Sequence, residues 1–87
     1  MSSDSHFIVY SKPECPFCEK AIDLLNENKK VFHVIDLSID KRSMSYIKGR
    51  GFTTVPQIFT ASVESGSFER AAHIGGHAEL VKYFKKK

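Results

Sequence analysis

The sequence predicts an α/β domain whose elements run β-α-β-α-β-β-α, and three observations carry that reading. A short β-branched and aromatic run, His6 to Tyr10, gives way after Cys15 to apolar residues at helical spacing. A second strand pattern follows that helix, and a strand–helix–strand start implies a parallel pair with a right-handed crossover. Two further strand-like runs precede a last helical stripe, which suits a hairpin.

His6-Phe7-Ile8-Val9-Tyr10 reads as a buried strand. Beyond it, Phe17, Ala21, Leu24 and Leu25 share one helical face, opposite Glu19, Lys20, Asp23 and Glu27. Pro16 suits the first helical position, where its missing N–H costs nothing and its fixed φ helps. The helix is expected to end near Asn28-Lys29-Lys30, and Val31 to Leu37 forms the second strand. Asp40 can cap a helix running to about Lys48, closed by Gly49 and Gly51. Thr53 to Thr60 reads as a strand that begins at Pro56, and Ser62 to Glu69, with its Ser-Gly-Ser, as a turn. Ala71 to Ile74 is the fourth strand, Gly75-Gly76 break it, and Leu80, Val81 and Phe84 mark a helix over 77–87. No linker or repeat interrupts the chain, so residues 1–87 are expected to form a single domain with a flexible stretch at 1–5.

A chain of 87 residues with 41% hydrophobic content can build one small core, burying roughly 60% of the surface it exposes when unfolded. The net charge of +3 owes much to Lys82 and Lys85-Lys86-Lys87, a solvated helix end rather than a basic-aromatic pattern. Neither nucleic acid nor a membrane is therefore an expected partner, since no apolar run approaches the ~20 residues that span a bilayer. The polar start, Met1 to Ser5, has no apolar secretory core, so a cytoplasmic location and a monomer are expected.

Both cysteines lie within Cys15-Pro16-Phe17-Cys18. In a reducing cytosol such a pair is more often catalytic or metal-binding than structural, and a bridge so short gains least from loop entropy. At the mouth of the first helix the Cys15 sulfur would face unpaired backbone N–H groups and the positive end of the helix dipole, with Lys12 nearby. Both influences favour thiolate, the attacking species. Cys18, one turn on, would be the resolving thiol. A metal alternative pairs these cysteines with His73 and His77, which have the histidine spacing of a zinc site. More than fifty residues separate the halves, however, where such motifs have about twelve to fifteen.

With these residues in view, the chain resembles the glutaredoxins, a branch of the thioredoxin fold. The likeness runs from Phe7 to about Phe84 on three motifs in order: Cys15-Pro16-Phe17-Cys18, Thr54-Val55-Pro56 with Gln57-Ile58-Phe59, and His73-Ile74-Gly75-Gly76. The family usually has tyrosine where this chain has Phe17, which keeps the ring beside the thiolate and loses the hydroxyl. The resemblance implies a four-stranded mixed sheet flanked by three helices and a cis Val55–Pro56 bond. It implies a glutathione-dependent thiol–disulfide oxidoreductase acting on disulfide-containing or glutathionylated proteins, ribonucleotide reductase among the family's substrates, with glutathione as co-substrate and no metal. In that reading Val55 pairs its backbone with an extended substrate, flanked by Thr54, Pro56 packs near the cysteines, and Lys12 faces a carboxylate of glutathione.

The same resemblance places the γ-glutamyl end of glutathione on Gly75-Gly76 and the following residues, His77, Ala78 and Glu79. There the family commonly has an aspartate; Ala78 offers only its N–H, so Glu79 is expected to meet the ligand's amino group. The residue reading of Glu79 is an acid favoured in a first helical turn. The segment 61–70 looks longer than the family's tight hairpin and is expected to be a surface insertion. Two other functions stay open: reduction by thioredoxin reductase, which the Ala78 departure makes credible, and an iron–sulfur or zinc-binding module.

Overall fold

A computed structural model of the chain describes residues 6–64 and 67–85, with 62–64 and 67–71 described by their backbone alone. The flexibility expected of residues 1–5 lies outside the described residues. Seven elements follow in the expected order: β1 (His6–Ser11), α1 (Pro16–Glu27), β2 (Val31–Asp36), α2 (Lys41–Gly49), β3 (Gln57–Glu64), β4 (Ser67–Gly75) and α3 (His77–Lys85). The sheet has the order β2-β1-β3-β4. β1 runs parallel to β2 and antiparallel to β3, and β3 and β4 form the hairpin.

β1 is central and buried along its length, which is why His6 to Tyr10 reads as an apolar run. Its side chains alternate between the two faces of the sheet. Phe7 and Val9 pack with Ala21 and Leu25 of α1, Ile58 of β3 and Leu80 of α3. Ile8 and Tyr10 pack on the other side with Leu37, Ile47 of α2, Phe59 and Ala61. Phe59 is the hub of this second layer, with ring centroids 5.6 Å from Tyr10, 6.3 Å from Phe52, 6.4 Å from Tyr46 and 4.9 Å from His73. No described helix is long and apolar enough to cross a membrane.

Three expectations are corrected. The third strand is Gln57–Glu64, so within the Thr53 to Thr60 run, where the strand is expected to begin at Pro56, the ladder starts one residue later, because Pro56 has no N–H to give it and the chain bends before it. Within the expected turn at 62–69, residues 62–64 and 67–69 are strand: Ser62 stands opposite Glu69, Val63 opposite Phe68 and Glu64 opposite Ser67. The segment expected as a surface insertion, 61–70, thus carries the end of the hairpin ladder, with 65–66 outside the described residues. Val63 and Phe68 are residue types that favour strands and hold facing backbone positions, against the turn signal of the serines around them in the sequence. β4 accordingly begins at Ser67 instead of Ala71. On α1, finally, Phe17 leaves the apolar face and is 57% exposed, while Cys18, Ala21 and Leu25 fill it.

Both α1 and α2 end in a Schellman motif. After α2, Phe52 N–H bonds to Ile47 C=O at 3.1 Å and Gly51 N–H to Lys48 C=O at 2.9 Å, with Gly51 at φ +84°. After α1, Lys30 N–H bonds to Leu25 C=O and Lys29 N–H to Asn26 C=O, both at 3.0 Å, but the left-handed position is Lys29 at φ +56°. A side chain there costs about 1–2 kcal/mol, against an extra backbone entropy for glycine of about 0.5–1 kcal/mol. Lys29→Gly is therefore expected to stabilise the fold by up to about 1 kcal/mol, read as a higher urea midpoint with unchanged slope.

Candidate active site

β1 ends at Ser11, and a tight turn with Glu14 at φ +57° delivers Cys15 to the N-cap of α1. Cys15 has extended backbone angles, φ −114° and ψ 103°, and Pro16 follows at the first helical position. Its Sγ accepts the Cys18 N–H at 3.3 Å, so sulfur does what a serine or aspartate oxygen does at other N-caps. The same Sγ lies 4.0 Å from the carbonyl oxygen of Val55. Cys15 is half-buried and Cys18 only 3% exposed, and both are free thiols. Burial, with a hydrogen bond to Cys15 second, pushes the Cys18 thiol up from 9.0 to about 12. The half-buried sulfur of Cys15 is thus the one available for attack, and the buried one keeps its proton.

That shift has a consequence for stability. Between pH 9 and about 12 the unfolded chain has lost the Cys18 proton while the folded one keeps it, so the unfolded state is favoured as pH rises. The contribution is fully present below pH 9 and is lost on the way to about 12. The reduced protein is expected to lose more of its urea midpoint between pH 8.5 and 10.5 than Cys18→Ser does; equal losses in the two would refute it.

A cleft of about 520 Å³ opens beside the cysteine helix, lined by Phe17, Phe52, Thr54 to Gln57, and 73–79. The Val55–Pro56 bond is cis and Pro56 is buried. Phe17, out of the core, faces the His77 ring with centroids 6.1 Å apart and carries Lys20 Nζ 5.3 Å above its ring. A smaller cavity of about 170 Å³ lies on the α2 side of the same loop and is lined by Thr54, Val55, Lys12, Met44 and Lys48 among others. Lys12, Phe17, Thr54, Val55, Pro56, Gly75, Gly76, His77, Ala78 and Glu79 thus all reach one of two cavities that meet at Val55.

Sequence reasoning left out the wall behind the cleft. The Gln57 side-chain amide donates to Thr54 C=O at 2.9 Å and to Thr54 Oγ1 at 3.2 Å, which turns its Oε1 toward His73 Nε2 at 2.8 Å. His73 Nε2 must therefore carry a proton and donate it. Phe52 stacks on the His73 ring at 4.4 Å and 21°, and Arg50 lies over Phe52 at 5.6 Å while donating to Tyr46 OH at 2.7 Å. Burial, and then Arg50, pull the His73 pKa down. The available signal was Gln57, a polar residue inside an apolar strand. Among the described residues no group of three or more His, Cys, Asp or Glu is gathered as a metal site; His73 is engaged by Gln57 and His77 lies against Phe17. Glu79, in the first turn of α3, accepts the Gly76 N–H at its Oε1 at 2.9 Å, as an acid favoured at a helix start does.

An attacking thiol at a helix N-cap, a buried partner one turn on and a cis-proline loop beside both define a dithiol–disulfide exchange protein of thioredoxin-like fold. The glutaredoxin family model matches residues 7–63. The chain is 39% identical over 74 residues to glutaredoxin 3 of Escherichia coli K12, covering 83% of this chain and 77% of that one. It is 40% identical over 76 residues to the hybrid peroxiredoxin hyPrx5 of Haemophilus influenzae, covering 87% of this chain but only 28% of that relative. Among solved structures, glutaredoxin from Brucella melitensis superposes with a TM-score of 0.67 at 30% identity, over 98% of this chain and 84% of that one. The buckwheat glutaredoxin–glutathione complex does so with a TM-score of 0.68 at 23% identity, over 92% and 68%. The chain belongs to the glutaredoxin family and is a thiol–disulfide oxidoreductase.

Proposed function

We propose that glutathione is the reductant of this glutaredoxin and that its substrates are protein disulfides and glutathione mixed disulfides. The observation that carries the chemistry is the accessible Cys15 Sγ placed over a buried, protonated Cys18. The Cys15 thiolate attacks one sulfur of the substrate disulfide; the S–S bond breaks, the leaving thiolate takes a proton, and a mixed disulfide remains on Cys15. Cys18 then loses its proton and attacks Cys15 Sγ, releasing the second substrate thiol and leaving Cys15–Cys18 oxidised. Two glutathione molecules return the dithiol, the first forming a mixed disulfide with the protein and the second carrying it off as glutathione disulfide. Potentials of about −200 to −230 mV, usual for glutaredoxins, let this run in either direction against a cytosolic glutathione pool.

The two cavities that meet at Val55 support glutathione: Lys12 borders one and the Gly75-Gly76 corner the other, suiting a tripeptide with a carboxylate at each end. A dithiol that must be reduced at every turnover works in a reducing compartment, which favours the cytoplasm. Ribonucleotide reductase and glutathionylated proteins are the protein substrates we infer. The test follows NADPH oxidation with a small mixed disulfide, one arm containing glutathione and glutathione reductase and the other thioredoxin reductase alone. Turnover in the first arm is expected; turnover in the second alone would replace glutathione with thioredoxin reductase as electron source.

A further inference from the structure

A buried amide holds the loop in front of the nucleophile. Residues 53–56 belong to no strand or helix, and Pro56 has no N–H, so no ladder bond fixes the stretch that carries Val55. Gln57, the first residue of β3, is 6% exposed and turns its side chain back onto that stretch. Its amide donates to Thr54 C=O at 2.9 Å and to Thr54 Oγ1 at 3.2 Å, while its Oε1 accepts from His73 Nε2 at 2.8 Å. The sheet brings the two side chains together. Gln57 and Phe59 share a face because side chains alternate along β3, and Phe59 stands opposite His73, next to a register shift between Ile58 and Phe59. Phe52 stacks on the His73 ring at 4.4 Å and fixes its plane.

We propose that Gln57 is a positioning residue for thiol–disulfide exchange: it holds the Thr54–Val55 peptide plane so that the Val55 N–H is set to meet the backbone of an extended disulfide substrate. The inference rests on the reading of Val55 as the residue that pairs with substrate, and deepens it. The Thr54–Val55 peptide is trans and planar, so its C=O and N–H point in opposite directions. The bond that draws Thr54 C=O toward Gln57 therefore turns the Val55 N–H away from the buried amide, on the residue where the two cavities meet. The Val55 C=O lies 4.0 Å from Cys15 Sγ, so a strand paired with Val55 is carried past the attacking sulfur. A disulfide without a peptide backbone has nothing to pair there and gains nothing from the arrangement. His73 is exposed, and water competes for its bond, so it steadies Gln57 and carries the smaller share of the hold.

The test compares two mixed disulfides of thionitrobenzoate, whose release is coloured: one with a pentapeptide carrying a central cysteine, the other with 2-mercaptoethanol, which has no backbone. Each rate with the reduced protein is divided by the rate with dithiothreitol, which removes the probe's own reactivity. Gln57→Glu keeps the size of the side chain and an oxygen for His73 but cannot donate to Thr54 C=O when ionised. It is expected to slow the peptide probe by roughly three- to tenfold, the size of one misplaced hydrogen bond, and to leave the mercaptoethanol probe unchanged. His73→Phe keeps the stack on Phe52 and loses the donor, so it should fold as the parent does and slow the peptide probe alone, by less. Equal slowing of both probes would overturn the inference, leaving Gln57 a satisfied core amide. An unchanged peptide rate in Gln57→Glu would overturn it as well; should that variant not fold, an unchanged rate in His73→Phe does so. If the parent protein shows no preference for the peptide probe, the reading of Val55 itself falls, and this inference with it.

Discussion

With Cys15 replaced by serine, turnover of every disulfide substrate is expected to fall by at least on the order of a thousandfold, as removal of a covalent nucleophile does. The variant separates chemistry from fold. Serine is among the best N-cap residues, so its hydroxyl can take the Cys18 N–H that Sγ now accepts, and α1 should keep its start. Reductase-coupled turnover and the urea midpoint, measured on the same preparation, check both halves. Activity above a few per cent of the parent would move the attack to Cys18, against its 3% exposure and its retained proton.

Phe59→Ala is expected to be the most damaging single truncation in the α2-side layer, costing about 3–5 kcal/mol where small domains have about 5–15 kcal/mol in all. The ring is 2% exposed and touches Tyr10, Tyr46, Phe52 and His73, so its loss leaves a cavity bordered by four rings that cannot all collapse inward. Because Phe52 and His73 form the back wall of the cleft, affinity for substrate should weaken together with stability. Urea unfolding gives the first effect and the KM for a mixed disulfide the second. A cost below about 1 kcal/mol would mean that the layer repacks, as volume-tolerant cores can.

Most of the fold was legible because its signals are local. Pro16 at a helix start, Asp40 three residues before the Ser43 N–H it caps, and the apolar run of β1 each announce one element by its own chemistry. The β3–β4 hairpin was expected but its length was not, since serines at 62, 65 and 67 look like turn residues until Val63 and Phe68 are seen to stand opposite each other. Strand length is decided by a partner strand, and a sequence read in order does not show the partner. The cysteines were legible for the same local reason, whereas the Val55–Pro56 loop was expected only from the family resemblance. The Thr54–Gln57–His73 wall was not, because it joins residues sixteen positions apart by side-chain hydrogen bonds. Glu79 was legible as an acid suited to a first helical turn, where it accepts the Gly76 N–H.

The burial of Cys18 also writes a timetable. Part of what holds its proton is Cys15 itself, through a hydrogen bond and through charge. Once Cys15 is tied up in a mixed disulfide, neither influence survives, and burial and the charge of Glu19 are left against the lowering effect of the Lys12 backbone hydrogen bond. The second sulfur thus becomes easier to ionise at the moment the first is spent, and not before.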